Sequence, residues 1–464
     1  MRYPFYGLEE FTMTIRSRYL LLAVMLLCSP ATAWATNGYF SHGSSVAEKG
    51  LAGAGVAYSQ DTLAASNNPA GMVWQGARYD VGAALFGPMR SYSATGGPQP
   101  GCNSSGCTFS IGDGDTSIDS DNEAFLIPQF GYNWVIDPNR TIGLSVYGNG
   151  GMNTEYQGGS ATYFVPTGPT TGNFVTTPGT FGAGTAGVNL EQLFISTTYA
   201  AKISDASSWG ISAIVAYQRF EAKGLANYGA FSSDLSKLSN NGTDTATGLG
   251  IRLGFQSELS PGIRLGAAYQ PKIDMSEFDD YAGLFAEKGD FDIPSNFTLG
   301  LAMDVGTTGM FLIDIQQINY EDVAAVSNPI SKLGSCAPNP FTGGSGNGCL
   351  GASDGAGFGW EDMQILKLGY QWQDGKMTWR VGYSTGDQPI PKEEVVFNIL
   401  APGVIEEHFT FGFTRELDAK SAINFAAMYA PSNSVKGTSN FDPSQEIELE
   451  MDQYELAISY NRRL

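Results

Sequence analysis

The sequence predicts an all-β fold: a closed, antiparallel, transmembrane β-barrel of fourteen strands with an N-terminal hatch, or plug, inside its lumen. Three observations predict it. Alternating polar and apolar residues recur in fourteen stretches. The connections between them alternate strictly between very short turns and long polar loops. Beyond residue 35, no apolar run approaches the roughly 18 residues that a helical span requires. A sheet in lipid must satisfy every backbone amide and leave no free edge, so it closes on itself. Closed bacterial barrels combine an even strand count with tight periplasmic turns and longer external loops. A soluble sandwich would explain the strands but not the alternation of connections.

The elements follow in order. From Met13 the chain runs through Arg16 and Arg18 into an apolar core, Tyr19 to Cys28, and reaches Ala33-Trp34-Ala35. These are the charged region, apolar region and cleavage site of a signal peptide. Residues 1–35 are therefore assigned to a signal peptide, with residues 1–12 an over-called start. Leu27-Cys28 is a poor lipidation site, so no lipid anchor is expected.

Residues 36–77 differ in character. They are rich in Gly and Ala and lack period-two patterning. A segment this short cannot bury a core of its own. Its small apolar residues favour a packed hatch over a tail, which would be polar and charged. Gly50, Gly53 and Gly55 permit close backbone approach.

The barrel occupies residues 78–464. Its strands are expected at 78–91, 123–136, 141–156, 189–203, 209–223, 246–259 and 262–277 in the first half. The second half adds 294–305, 309–321, 361–373, 376–386, 404–416, 421–435 and 447–462. Phe409, Phe411 and Phe413 alternate with Thr410, Gly412 and Thr414, as do Ile263, Leu265, Ala267 and Tyr269 with their neighbours. Period two with one apolar face marks a half-buried strand, whose apolar face here would meet lipid. The short connections carry turn chemistry, among them Asp137-Pro138-Asn139, Ser260-Pro261-Gly262 and Asp374-Gly375. Tight turns alternating with long loops put both barrel ends in the periplasm.

Composition narrows the function. The chain carries 25 Lys and Arg against 46 Asp and Glu. Removing residues 1–35 takes away three arginines and two glutamates, leaving 22 against 44, net −22. Nucleic-acid binding needs clustered cations and is excluded as a function. So acidic a surface suits lipopolysaccharide bridged by divalent cations. Beyond Cys28, four cysteines form two sequence-local pairs, Cys102/Cys107 and Cys336/Cys349, each in a loop. Local disulfides in an oxidising compartment are expected.

Other signals point away from catalysis and cofactors. His42 falls in the hatch and His408 at the start of a strand, where a surface role is expected. No Ser/His constellation appears, so no catalytic residue is assigned. Asp113, Asp115, Asp119, Asp121 and Glu123 lack the glycine of a calcium loop and read as a solvated acidic loop. Gly53-x-Gly55 has no third glycine and no preceding strand, which rules out a dinucleotide site. No metal or cofactor is expected.

The hatch also carries a resemblance. Gly50-Leu51-Ala52-Gly53-Ala54-Gly55-Val56-Ala57, Asp61 and Asn68-Pro69-Ala70-Gly71-Met72 resemble the hatch of the FadL/TodX family of outer-membrane channels for long-chain fatty acids and other hydrophobic compounds. Ile127-Pro128-Gln129-Phe130-Gly131, Phe291-Asp292-Ile293-Pro294 and Gln388-Pro389-Ile390-Pro391 extend the resemblance along the chain. It implies a 14-stranded barrel in the bacterial outer membrane that moves such ligands passively. Ligand would be captured by external loops and released laterally at a kink in the third strand. Gly148, Asn149, Gly150 and Gly151 are the kink candidates, since clustered glycines weaken a strand. The other reading is a strand that simply ends there.

Further residues follow from the resemblance. Phe231, Leu235 and Leu238, spaced as one helical stripe, are candidates for external capture together with Leu284 and Phe285. Arg219 and Lys223 are candidates for carboxylate contact, or else lumenal charges paired with acids such as Glu221. Asp314, Glu321 and Asp322, where a second cation would be sought, favour a neutral hydrocarbon. The expected partners are a fatty acid or hydrocarbon, outer-membrane lipid and lipopolysaccharide, with the chain acting as a monomer. The alternative function is a diffusion porin for polar solutes, which would keep an open, charge-lined lumen.

Overall fold

The computed structural model describes residues 37–97, 109–112, 117–166 and 172–464. The signal peptide, Cys102, Cys107, Asp113 and Asp115 lie outside the described residues. Fourteen antiparallel strands form the barrel: β1 Arg78–Thr95, β2 Phe125–Asp137, β3 Arg140–Asn153, β4 Gly187–Lys202, β5 Ser207–Lys223, β6 Asp244–Ser260 and β7 Ile263–Gln270. They continue as β8 Asn296–Val305, β9 Gly309–Ile318, β10 Met363–Asp374, β11 Met377–Gly386, β12 Glu407–Glu416, β13 Ser421–Thr438 and β14 Glu446–Arg463. Each strand pairs with its neighbours in sequence. Closure is made by β1 and β14, paired from Arg78↔Arg463 to Thr95↔Glu446. The fourteen strands and the tight turns lie where periodicity placed them. Several ends shift by three or four residues, and β7 differs most: it stops at Gln270, because Pro271 lacks the N–H to continue a ladder.

Strand parity turns the usual soluble arrangement inside out. Val81, Leu85, Leu249, Ile251, Phe297 and Leu299 stand exposed on the outer wall, with Leu249 80% accessible. Their neighbours Gln129, Ser196, Gln218, Gln256, Thr298 and Asn424 are buried in the lumen. An apolar outside around a polar inside is what a bilayer selects in a barrel. Near the short-turn end, paired rings gather: Tyr79 with Tyr460, Tyr199 with Trp209, and Trp379 with Phe413. Amphipathic rings belong at the membrane–water boundary.

The lumen is filled by residues 37–77, which touch the wall on many sides through polar anchors. On β9, the buried Asp314 accepts from the Gly55 and Val56 amides at 2.8 and 2.9 Å. Lys49 pairs with Glu455 of β14 at 2.7 Å, and both are buried. The Thr62 hydroxyl donates to Asp80 of β1 at 2.7 Å, and Arg78 bridges to the same carboxylate. Asn133 of β2 donates to the carbonyls of Met72 and Gly76. Asp314 is thus a hatch anchor, which explains an acid at a site where a ligand-binding cation was sought. Two ends of the chain's polar lumen are therefore tied to one short segment.

Deleting residues 36–75 should leave an assembled barrel that conducts ions in planar bilayers well above the intact protein. Equal conductance would show that the segment does not plug the bore.

Candidate functional site: a cavity beside an opening in the wall

The seam between β2 and β3 is paired only in its periplasmic half. Pairing runs from Asp137↔Arg140 to Phe130↔Val146 and stops. Above it, among the barrel strands, Phe125 to Gln129 pair only with β1 and Tyr147 to Asn153 only with β4. At the same level β3 carries a bulge, where Gly148↔Leu193 is followed by Gly150↔Gln192 with Asn149 left over. This bulge falls within Gly148, Asn149, Gly150 and Gly151, at the end of the β2–β3 ladder.

The hatch holds the bent strand. The Ser41 amide donates to the Asn149 carbonyl, and the Gly151 amide to the Tyr39 carbonyl, both at 2.9 Å. Glycine is required at position 150 because a Cβ there would collide with the Tyr39 carbonyl. The Asn149 side chain donates to Gln192 of β4 at 2.8 Å. Unpaired backbone at membrane depth is tolerated only where it is buried in protein or lines a cavity. Here it lines one.

That cavity holds about 640 Å³, within the range of ligand pockets. Its lumenal wall includes Tyr39, Phe40, Phe86, Met152, Trp360 and Met451, and its outer lip includes Leu126, Tyr217 and Arg219. Leu126, an outward residue of β2, is 73% exposed. A cavity lined from both faces of one sheet passes through that sheet. Tyr39 packs on Phe40, Tyr320 and Trp360 at ring distances of 5.3, 5.2 and 5.9 Å. The hatch thus supplies an aromatic wall that no strand could.

The hatch motif has a specific task. Asn68 Oδ1 accepts from the Ala70 amide at 3.1 Å, while Nδ2 donates to the Val56 and Phe255 carbonyls. Pro69 occupies the first turn of Pro69–Trp74, where its missing N–H costs nothing. Gly53 has φ +81°, a region that excludes ordinary side chains. Buried Glu48 lies among these anchors; burial, reinforced by the charge of Asp61, pushes its carboxyl up.

His408 corrects an expectation. It is buried in the lumen and stacks on His42 at 5.4 Å, with Ser384 Oγ 3.1 Å from its Nδ1. Parity decides this: Phe409 and Phe411 take the lipid side, so His408 and Thr410 point inward. Both imidazoles line the cavity floor.

Other sequence candidates are scattered. Arg219 is 46% exposed on the outward face of β5 and pairs with Glu191 at 3.3 Å. Lys223, on that same face, lies 3.4 Å from Glu155 and 3.8 Å from Glu221. Phe231, Leu235 and Leu238 do not share one helix, a second correction. They fall in and after two short turns, Ala226–Phe231 and Leu235–Lys237, because Asp234 caps a new turn by accepting from the Ser236 amide. Leu238 and Phe285 are buried and Leu284 is half-buried, while Leu235 stays exposed. Phe285 packs 4.7 Å from Phe220. The Cys336–Cys349 disulfide is present, and the Leu350 amide next to it donates to the Phe231 carbonyl at 2.9 Å.

Sequence reasoning missed Arg90, Tyr39 and Phe40 as cavity residues. Parity within β1 would have placed Arg90 inside, beside Pro88 and Phe86; nothing local marks the other two.

Fold and cavity together define a class: a hatch-plugged, fourteen-stranded outer-membrane β-barrel. No family model matches the chain, and no curated protein matches its sequence. Solved structures match its fold. The Pseudomonas putida toluene transporter TodX superposes with TM-score 0.62 at 16% identity, covering 92% of this chain and 100% of TodX. A Pseudomonas aeruginosa FadL homologue gives TM-score 0.60 at 14% identity over 92% and 99% of the two chains. The Ralstonia pickettii toluene transporter TbuX gives 0.55 at 14% identity over 91% and 99%. The resemblance read from the hatch thus extends to the whole fold.

Replacing Asn68 by Ala should destabilise hatch seating by about 1–3 kcal/mol, the cost of stranding buried polar groups. Faster proteolysis of the hatch in an intact barrel would register it; an unchanged cleavage rate would show that the triplet does not anchor the segment. Replacing Gly150 by Val should displace Tyr39 and lower uptake of a hydrophobic probe several-fold while the barrel still assembles.

Proposed function

We propose that the protein is a passive outer-membrane channel for hydrophobic molecules, captured at the external loops and released sideways into the bilayer between β2 and β3. The observation that carries this reading is the cavity of about 640 Å³ that reaches from the hatch to the outer face of the wall, between two strand segments that do not pair with each other. Burying a methylene gains about 0.8 kcal/mol, so a long hydrocarbon chain strongly resists the aqueous periplasm. A path from the external loops to the lipid core avoids that phase, and no energy source is needed. A diffusion porin fits less well, because residues 37–77 occupy the bore.

Toluene is the cargo named for TodX and TbuX, and long-chain fatty acids are a second class that fits an apolar cavity. The external apolar residues Phe231, Leu235 and Leu284 would make the first contact, with Leu238 and Phe285 behind them. The chain would act as a monomer.

A staple across the seam tests the exit. A Cβ added at Gly148 would sit 3.0 Å from Ile127 Cγ2, across the gap. The pair Ile127→Cys and Gly148→Cys should therefore crosslink on oxidation. Oxidised protein should take up a long-chain fluorescent probe several-fold more slowly, with recovery on reduction. Undiminished uptake through a stapled wall would sink lateral release.

A further inference from the structure

We infer that residues 391–405, in the connection between β11 and β12, form an inner gate: they roof the cavity and swing aside to admit cargo captured by the external loops. This rests on the channel reading above and deepens it by assigning the entry step to one segment and its latches. Residues 387–406 join no strand ladder. They fold inward over the cavity, where Val395, Val396, Ile399 and Val404 have no exposed surface. On one side, Ala401, Pro402 and Gly403 line the cavity. On the other, Phe397 packs 5.4 Å from Tyr228 in the loop after β5, and Tyr228 meets Phe181 and Phe441 at 5.5 and 5.8 Å.

Side-chain bonds latch this roof to its surroundings. Its own regular structure is two single turns, Lys392–Glu394 and Val395–Asn398. Asn398 is fully buried; its Oδ1 accepts from the Trp360 indole N–H at 2.6 Å, and its Nδ2 donates to the Phe358 carbonyl at 2.7 Å. The Thr154 hydroxyl donates to the Leu400 carbonyl, and Asn433 Nδ2 of β13 to the Val404 carbonyl, both at 2.7 Å. Glu394 accepts from the Ile330 amide at 2.8 Å. Thr154 directly follows β3, so the roof is tied to the bent strand that borders the exit.

One apolar cluster runs from Tyr39 and Phe40 through Ile399 and Leu400 to Tyr228. Protein interiors are close-packed, so a hydrocarbon chain crosses such a cluster only by displacing part of it. Parting two barrel strands breaks a whole ladder of backbone bonds. Lifting the roof breaks the handful of latches just described. Elements that open are those with little backbone pairing to the rest of the fold, and this segment has that character. Because Asn398 holds the Trp360 indole, the gate and the cavity wall share one hydrogen bond.

The test separates the rate of entry from the affinity of the cavity. Radiolabelled oleate and toluene are offered to whole cells making the full-length protein, and oleate binding to the purified protein in detergent is measured by calorimetric titration. Thr154→Val and Asn433→Ala each remove one latch outside the cavity wall. Each should speed uptake of whichever probe the wild type carries by about three- to tenfold, the weight of one hydrogen bond. Oleate affinity should stay within about twofold of wild type, and Thr154→Ser, which keeps the hydroxyl, should take up cargo at the wild-type rate. Asn398→Leu, which removes two latches, should be the fastest. Unchanged uptake in all the latch variants, or faster uptake matched by an equal change in affinity, would overturn the gate and leave the channel reading standing. Failure of the wild type to take up either probe would bring down both. If Asn398→Leu does not assemble, Thr154→Val and Asn433→Ala still decide.

Discussion

Every feature of this molecule is conditioned by the demand that backbone amides in lipid find partners. The demand is met around the barrel by strand pairing and closure of β1 on β14. It is relaxed along the upper seam of β2 and β3, and there other groups step in. The Tyr39 carbonyl and the Ser41 amide satisfy part of the bent third strand. The opening is thus a place where hatch backbone replaces strand backbone.

That substitution links three parts of the protein. Residues near position 40 hold the bend, while Gly55, Val56 and Asn68 fasten the same segment to β9 and β6. Polar anchors suit the task better than apolar contacts would. In a lumen lined by Gln, Ser, Thr and Asn, a backbone segment can match donors and acceptors at fixed points. Each match carries a penalty if broken, so the hatch has one register. Tyr39 and Phe40, placed by that register, then complete the aromatic wall of the cavity.

The external loops follow a different logic. Phe285 and Phe291 from the loops pack on Phe220, an inward residue of β5, with Phe285 4.7 Å from Phe220 and 4.8 Å from Phe291. The Cys336–Cys349 disulfide closes the loop between β9 and β10 on itself, and the Leu350–Phe231 backbone bond ties that loop to the one after β5. Long loops held this way keep a fixed shape over the buried rings.

By itself the sequence determined whatever depends on local rhythm. Period-two alternation located all fourteen strands, and Gly, Pro and Asp located the turns. These succeed because pleat and turn geometry are properties of a few consecutive residues. Tertiary structure alone decided which groups meet. It set His408 against His42, made Asp314 an anchor, and turned Arg90 into the cavity. It also split the expected stripe of Phe231, Leu235 and Leu238 into two turns. The reason is geometric: a residue's face follows from its neighbours, but what that face touches across a lumen is fixed only when distant strands close around the hatch.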